Sequence, residues 1–264
     1  MKIADALRAL EAREARLLLA RASGFSEASV LAHPERELPA DVEAAFRAFA
    51  ARRARGEPVA YILGEKEFYG LPLAVTPAAL IPRPETELLV ELALGEPFDS
   101  ALDLGTGTGA IALALKRQRP EARVVAVERS AAALALAQRN AQKLGLDVEF
   151  RHGLWFGPVA GERFDLVVSN PPYVREGDPH LEEGDVRFEP RAALVAGQDG
   201  LDAVREIVRD APGHLNPGGR ILLEHGLGQD GAVRSLLVEA GIEGVATWPD
   251  LAGIARVSGG RLKS

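Results

Sequence analysis

Residues 101–120 read ALDLGTGTGAIALALKRQRP. A short apolar run, Ala101 to Leu104, ends on three alternating glycines, Gly105, Gly107 and Gly109, and apolar residues then recur at helical spacing from Ala110. Strand, tight turn and helix follow one another here, and the pattern repeats downstream. The strand RVVAVE (123–128) leads into a helix capped by Ser130 and running to Leu144. A strand near Val148 to Arg151 and the run FDLVVSN (164–170) come next. Then follow a helix over 201–211, the strand RILLEHG (220–226), a helix over 230–240 and two terminal runs, 244–248 and 253–258. Strands alternating with helices of this length predict a mainly parallel, doubly wound α/β sheet. Ligands of such a sheet sit beyond the carboxyl ends of its strands. Gly109, Glu128 and Asn170 all fall at such ends, so they are expected to face one crevice.

The turn Gly105-Thr106-Gly107-Thr108-Gly109 is by itself a weak nucleotide signal. It lacks the Gly-Lys-Ser/Thr of a phosphate loop and the Gly-x-Gly-x-x-Gly of a dinucleotide turn. Asp103, just before it, would repel a pyrophosphate but suits a ligand carrying an ammonium and a sulfonium. Glu128 ends the next strand nineteen residues past Gly109, where an acid can accept both hydroxyls of a ribose. S-adenosylmethionine has a ribose, a cationic sulfur and no phosphate, and it meets all three features. Trp155 follows the next strand and has two open readings: a wall along the adenine or the methionyl arm, or a large core residue.

A second stretch, FDLVVSNPPY (164–173), carries the other chemical signal. The apolar strand stops at Ser169-Asn170, and Pro171 and Pro172 then hold the chain stiff and extended. Asn170 offers a side-chain acceptor and donor at that corner, and backbone carbonyls beside it are left outside any ladder. Such a corner can hold a planar N–H₂ group, with Tyr173 expected to supply an aromatic face. The loop EGDPHLEEGDVRFEP (176–190) gathers Asp178, His180, Glu182, Glu183 and Asp185 in a spacing that matches no metal-ligand set. Its length and position suit a lid or substrate rim better.

Composition bounds the rest. The chain has 264 residues, 47% of them hydrophobic and 26% charged, as in an ordinary globular protein with one large and one small domain. No apolar run approaches the ~18 residues of a membrane span, and the N-terminus carries charges throughout. Absence of cysteine excludes disulfides and thiolate metal sites and fits a cytoplasmic protein. The net charge of −7 argues against a non-specific nucleic-acid binder, which needs a basic surface.

Residues 1–55 are predicted helical. Ile3, Ala6, Leu7 and Leu10, then Leu17 and Leu18, recur at helical spacing; Ser26 caps a second helix ended by Pro34; a third, after Pro39, carries Val42, Ala45, Phe46 and Phe49 on one face. This segment is either a cap that packs on the main domain or a docking module for a macromolecule. Residues 56–84 change character. Two β-type runs, Val59 to Leu63 and Phe68 to Val75, suggest a hairpin, and Ile81-Pro82-Arg83-Pro84 forces an extended path into a helix near Glu85. The predicted division is a helical domain (1–55), a hairpin and Pro-rich linker (56–84) and a catalytic domain (85–264).

Taken together, DLGTGTGAIALAL, AVERSAAALALAQRNA, SNPPY, DPHLEEGDVRFEP and GGRILLEHG resemble the HemK/PrmC-type release-factor glutamine methyltransferases. EPVAYILGEKEFYG and LIPRPETE extend the likeness through the linker, over roughly residues 56–260. The resemblance implies a seven-stranded class I methyltransferase fold, with S-adenosylmethionine held by the residues matching Asp103, Gly105 to Gly109, Glu128, Trp155 and Asn170. It implies that Asn170, Pro171, Pro172 and Tyr173 bind a glutamine side chain, that of the Gly-Gly-Gln tripeptide of class-one peptide chain release factors. The terminal LAGIARVSGG departs from the pattern, lacking an Asn-Glu pair before Arg256. SNPPY alone is shared with adenine-N6 methyltransferases of nucleic acids, the alternative function. That reading wants a basic groove and a target-recognition region.

Overall fold

The computed structural model describes residues 1–264. The chain forms two compact units, one of Met1–Glu65 with Glu182–Phe188, the other of Lys66–Leu181 with Glu189–Ser264.

Five helices build the first unit: α1 (Ile3–Leu7), α2 (Ala12–Ser23), α3 (Glu27–Ala32), α4 (Ala40–Ala54) and α5 (Val59–Leu63). The Glu11 carboxylate caps α2, accepting the N–H groups of Arg13 and Glu14 at 3.0 and 3.1 Å, and Gly24, with φ +71°, ends it. Ser26 caps α3 as predicted, accepting the Ser29 N–H at 3.2 Å. Ile3, Ala6, Leu18, Leu19, Val30, Phe46 and Ile62 share one core, and burying each large side chain stabilises the unit by about 1.5–3 kcal/mol. The run Val59 to Leu63, predicted as a strand, is instead α5. Pro58 opens it, Gly64 at φ +73° closes it, and Ile62 turns into the helical core, so burial overrides the β-type composition. The loop predicted as a rim also divides. Residues 182–188 belong to this unit, where Asp185 accepts from Arg53 at 2.9 Å and Arg187 donates to the Arg55 carbonyl at 3.2 Å.

The predicted hairpin forms one step later, from β1 (Glu65–Phe68) and β2 (Leu71–Ala74), about Tyr69 and Gly70, both at positive φ. The remaining elements are α6 (Glu87–Leu94), β3 (Ser100–Leu104), α7 (Ala110–Gln118), β4 (Arg123–Glu128), α8 (Ala131–Leu144), β5 (Glu149–His152) and β6 (Phe164–Ser169). After them come α9 (Asp202–His214), β7 (Leu215–Glu224), α10 (Asp230–Glu239), β8 (Ile242–Pro249) and β9 (Ala255–Leu262). Seven strands form one sheet in the order β5-β4-β3-β6-β7-β9-β8. The first five run parallel, and β9 inserts antiparallel between β7 and β8.

Side-chain alternation along these strands separates two cores. Ala101, Val124, Ala126, Leu166 and Val168 face one; Leu102, Leu104, Val125, Val127 and Val167 face the other. Both faces of the sheet are covered, which is why its central strands read as unbroken apolar runs. Truncating one such residue, Leu102→Ala, would cost about 2–5 kcal/mol. From β3 the chain winds outward through β4 and β5, then returns to β6 on the other side of β3. The order therefore reverses between β3 and β6, and a crevice opens there at the carboxyl ends. No helix is long and apolar enough to cross a membrane.

Candidate active site

The glycine turn closes the end of β3 onto β4. The N–H groups of Gly105 and Thr106 both donate to the Val127 carbonyl, at 2.9 and 3.1 Å, and the Gly109 N–H donates to the Thr106 carbonyl at 2.8 Å. Such a path needs φ +73°, +58° and +85° at the three glycines, a region that side chains other than glycine's seldom adopt. A Cβ at Gly109 would also lie 3.0 Å from Leu113 Cδ1.

Asp103 lies beneath this turn and does not face the crevice. It is fully buried; its Oδ2 accepts from the Thr106 hydroxyl at 2.6 Å and the Ala112 N–H at 3.2 Å, while Oδ1 has no partner. Burial, with the nearby Glu128 charge adding, pushes its carboxyl up to about 7. The expected direct meeting of this acid with a cationic ligand is therefore not prepared here. Its visible work is to hold the turn that Thr106 begins.

Glu128 does reach the cleft wall. Its Oε2 accepts the Gly107 N–H at 3.0 Å and its Oε1 the Ser130 N–H at 2.8 Å, which fixes the carboxylate and leaves lone pairs on both oxygens. Opposite stands Trp155, at φ +45°, its indole N–H donating to Glu206 at 2.6 Å. Its ring edge lies 3.5 Å from where a Gly105 Cβ would stand. A side chain at that glycine would thus fill the space against the indole. The cleft is open to solvent and is lined from the glycine turn, the end of β4, Trp155 and the Pro-Pro corner. Ala79, Leu80 and Ile111 give it apolar walls, and Glu128 is the carboxylate among its lining. A carboxylate at the end of β4, a glycine turn without the lysine of a phosphate loop and an indole wall fit S-adenosylmethionine.

Asn170 and Pro172 line the same cleft, together with Arg83 and Thr86 from the Pro-bounded turn before α6. Asn170 Nδ2 donates to Thr86 Oγ1 at 3.0 Å. Tyr173 departs from expectation: its hydroxyl turns inward to Glu224 Oε1, at 3.3 Å, and its ring packs beside Gly226. Burial raises its phenol above the ordinary range, with the Glu224 charge second. Pro171 is buried at the corner. The aromatic residues that line the cleft are Trp155 and Phe68, while a buried carboxylate claims the tyrosine.

Three supports went unread in the sequence. Asn140, in the middle of α8, donates to the carbonyls of Ala74 and Thr108 and accepts the Ala74 N–H, which staples hairpin and glycine turn together. Glu189, buried, pairs with Arg83 and accepts the Ile81 N–H at 2.9 Å, holding the rim. Glu224, at the end of β7, is 1% exposed; burial foremost pushes its carboxyl up to about 7. For Glu224 the available signal was a carboxylate closing the apolar run of RILLE; Asn140, among the polar residues of α8, and Glu189, in a loop, carried no such mark. In the acidic loop, Asp178 binds Arg175 and His180 at 3.2 and 2.8 Å.

Several known proteins are similar to this chain in sequence or fold. Residues 84–184 match the family described as methyltransferase small domain, and residues 2–64 match the PrmC N-terminal domain. The chain is similar to the release factor glutamine methyltransferase of Burkholderia pseudomallei, 50% identical over 272 residues that cover 98% of this chain and 95% of that protein. It is similar also to the release factor glutamine methyltransferase of Pseudomonas aeruginosa, 53% identical over 249 residues, covering 93% of this chain and 90% of that one. A methyltransferase structure from Pyrococcus furiosus superimposes with a TM-score of 0.59 at 20% identity, over 81% of this chain and 98% of that chain, a likeness of fold.

Proposed function

Because the chain belongs to the release factor glutamine methyltransferase family, we propose that its cleft transfers a methyl group from S-adenosylmethionine to the side-chain amide nitrogen of the Gly-Gly-Gln glutamine in class-one peptide chain release factors. The observation that carries this reading is Asn170: it lines the cleft and its Nδ2 donates to Thr86 Oγ1 at 3.0 Å, so Oδ1 is the atom of its carboxamide that can accept from a substrate.

The cofactor supplies an electrophilic methyl on a cationic sulfur. Glu128, the Gly105 to Gly109 turn and Trp155 hold it; Asp103 contributes by keeping that turn in place. An amide nitrogen is a poor nucleophile, because its lone pair is delocalised into its carbonyl. Asn170 Oδ1 and the Pro171 carbonyl accept its two hydrogens, which raises electron density on nitrogen and fixes its line of attack. Positioning of this kind is worth up to ~7–11 kcal/mol of barrier. An ionised glutamate in the same place would set an oxyanion against acceptors, an unpaired contact costing several kcal/mol.

The net charge of −7 supports a protein substrate over a nucleic acid, and translation termination places the reaction in the cytoplasm. The helical unit is the docking module for the folded substrate. The deciding experiment is transfer of a labelled methyl to a release factor, to the same factor with its Gly-Gly-Gln glutamine replaced, and to duplex DNA. Label is expected on the first alone. Label on the replaced factor or on DNA would overturn the reading.

A further inference from the structure

Pro171 and Pro172 carry no N–H, so this part of the corner has no backbone donor to anchor it. Its carbonyls are set from the two ends. Upstream, β6 lies in the sheet, and the Ser169 hydroxyl donates to the Leu104 carbonyl at 2.7 Å. Downstream, the Tyr173 carbonyl accepts from Nε2 of Gln229 at 3.0 Å. Gln229 Nε2 also donates to the Asp199 carbonyl at 3.2 Å and the Gly200 carbonyl at 3.4 Å, while its Oε1 accepts the Gly226 N–H at 2.8 Å. Backbone carbonyls only accept and a backbone N–H only donates, so these partners leave the carboxamide a single orientation.

Two further features mark this side chain. Gln229 stands at the N-cap position of α10, where Ser, Thr, Asp or Asn is preferred, yet its side chain makes no cap hydrogen bond. It serves the corner instead of its own helix. The backbone around it also leaves no room for other side chains. Gly200, at φ +77°, comes so close that a Cβ there would collide with the Tyr173 carbonyl and lie 2.8 Å from Gln229 Nε2. One at Gly226 would lie 3.0 Å from Gln229 Oε1 and 3.2 Å from Tyr173 Cδ2. Gln229 does not itself line the cleft.

We propose that Gln229 is a positioning residue for methyl transfer, holding the Tyr173 carbonyl so that the Pro171 carbonyl meets the substrate amide. The ring of Pro172 fixes its φ and the peptide planes are rigid, so an anchor at Tyr173 is carried back to Pro171 through a short stiff segment. The substrate nitrogen gains positive charge as it takes the methyl, and its N–H groups become stronger donors. A well-placed acceptor therefore stabilises the transition state more than the bound ground state. The inference rests on the reading of Asn170 and Pro171 as the acceptors for that amide.

The test uses two variants of the full chain. Gln229→Met keeps the length of the side chain and removes every hydrogen bond. Gln229→Glu keeps an acceptor for Gly226 and sets an oxygen without a proton against the carbonyls. On a Gly-Gly-Gln peptide, well below the melting temperature, each is expected to lower kcat about 10²-fold, the scale of a ~1 Å misplacement. Peptide KM and cofactor Kd are expected to stay within about threefold of the wild type, as for an interaction made in the transition state. Gln229→Asn, polar at both ends but one methylene shorter, carries the test if neither of the others folds, with the same split and a kcat loss of about tenfold. A kcat near that of the wild type in any folded variant would overturn the proposal. Equal losses in kcat and cofactor affinity would overturn it too, since they mark a merely structural staple. Asn170→Ala separates the two levels: if it alone collapses the rate, the reading of the corner stands and Gln229 does not support it; if it too is near wild type, that reading falls as well.

Discussion

The Gly107 N–H donates to Glu128 Oε2 at 3.0 Å, tying the tip of the glycine turn to the end of the neighbouring strand. The acid expected to hold the ribose is therefore also the strut that shapes the turn. Glu128→Ala should weaken S-adenosylmethionine binding by about 1.5–3 kcal/mol, the worth of hydrogen bonds to a charged group. Calorimetric titration measures it, and an unchanged Kd would remove Glu128 from the site.

Gly109 and Gly145 separate backbone strain from crowding. Both have positive φ, +85° and +65°, but a Cβ at Gly109 would lie 3.0 Å from Leu113 Cδ1 and 3.3 Å from Ala137 Cβ, while one at Gly145 meets nothing within 4 Å. Gly145→Ala should cost about 1 kcal/mol and Gly109→Ala up to about 3. Urea unfolding reads both, and only Gly109→Ala should also weaken cofactor binding.

At the Pro-Pro corner, Asn170→Ala should slow methylation of a release factor by about 10²–10³-fold, with cofactor affinity reduced only slightly. Asn170→Asp still accepts but cannot donate to Thr86, and it adds a negative charge beside the cationic sulfur. That charge stabilises the bound ground state and loses its benefit as the methyl leaves, so kcat should drop while cofactor affinity holds or improves. Near wild-type rates in both variants would mean that the chemistry happens elsewhere.

Stability should fall as pH rises between about 4 and 7. Asp103 goes from an ordinary 3.8 up to about 7, and Glu224 from 4.5 to about 7, both chiefly because burial disfavours their charge. A raised folded-state pKa means the native protein binds more protons than the unfolded chain in that window, so the contribution is complete below it and gone above it. Tyr173, Thr86, Arg256 and Glu85 face Glu224; Thr106, the Ala112 N–H and Glu128 face Asp103. Melting temperatures of the cofactor-free protein should be higher at pH 5 than at pH 8, and Asp103→Asn or Glu224→Gln should each flatten the difference.

For the helical unit, truncation belongs after Glu65, because Ile62 sits in its core. A protein beginning at Lys66 should still bind cofactor. Its KM for a folded release factor should rise sharply while kcat/KM for a short Gly-Gly-Gln peptide changes little. Equal losses on both substrates would make the unit a structural cap.

Local pattern was enough for the architecture. Apolar alternation, glycines at the ends of strands and a Ser cap such as Ser130 act within a few residues, so the doubly wound sheet, the crevice at its carboxyl edge and the places of Glu128 and Asn170 were legible before any coordinate. Composition misled at Val59 to Leu63, because β-type side chains also fill one face of a short helix once a core such as that around Ile62 is there to receive them. What tertiary structure alone decided is where polar side chains point. Asp103 and Tyr173 look like ligand contacts in the chain, yet burial turns one beneath the glycine turn and the other onto Glu224. Thr86 and Asn170, 84 residues apart, become partners only through the fold, because a hydrogen bond is fixed by distance and direction in space and sequence spacing carries neither.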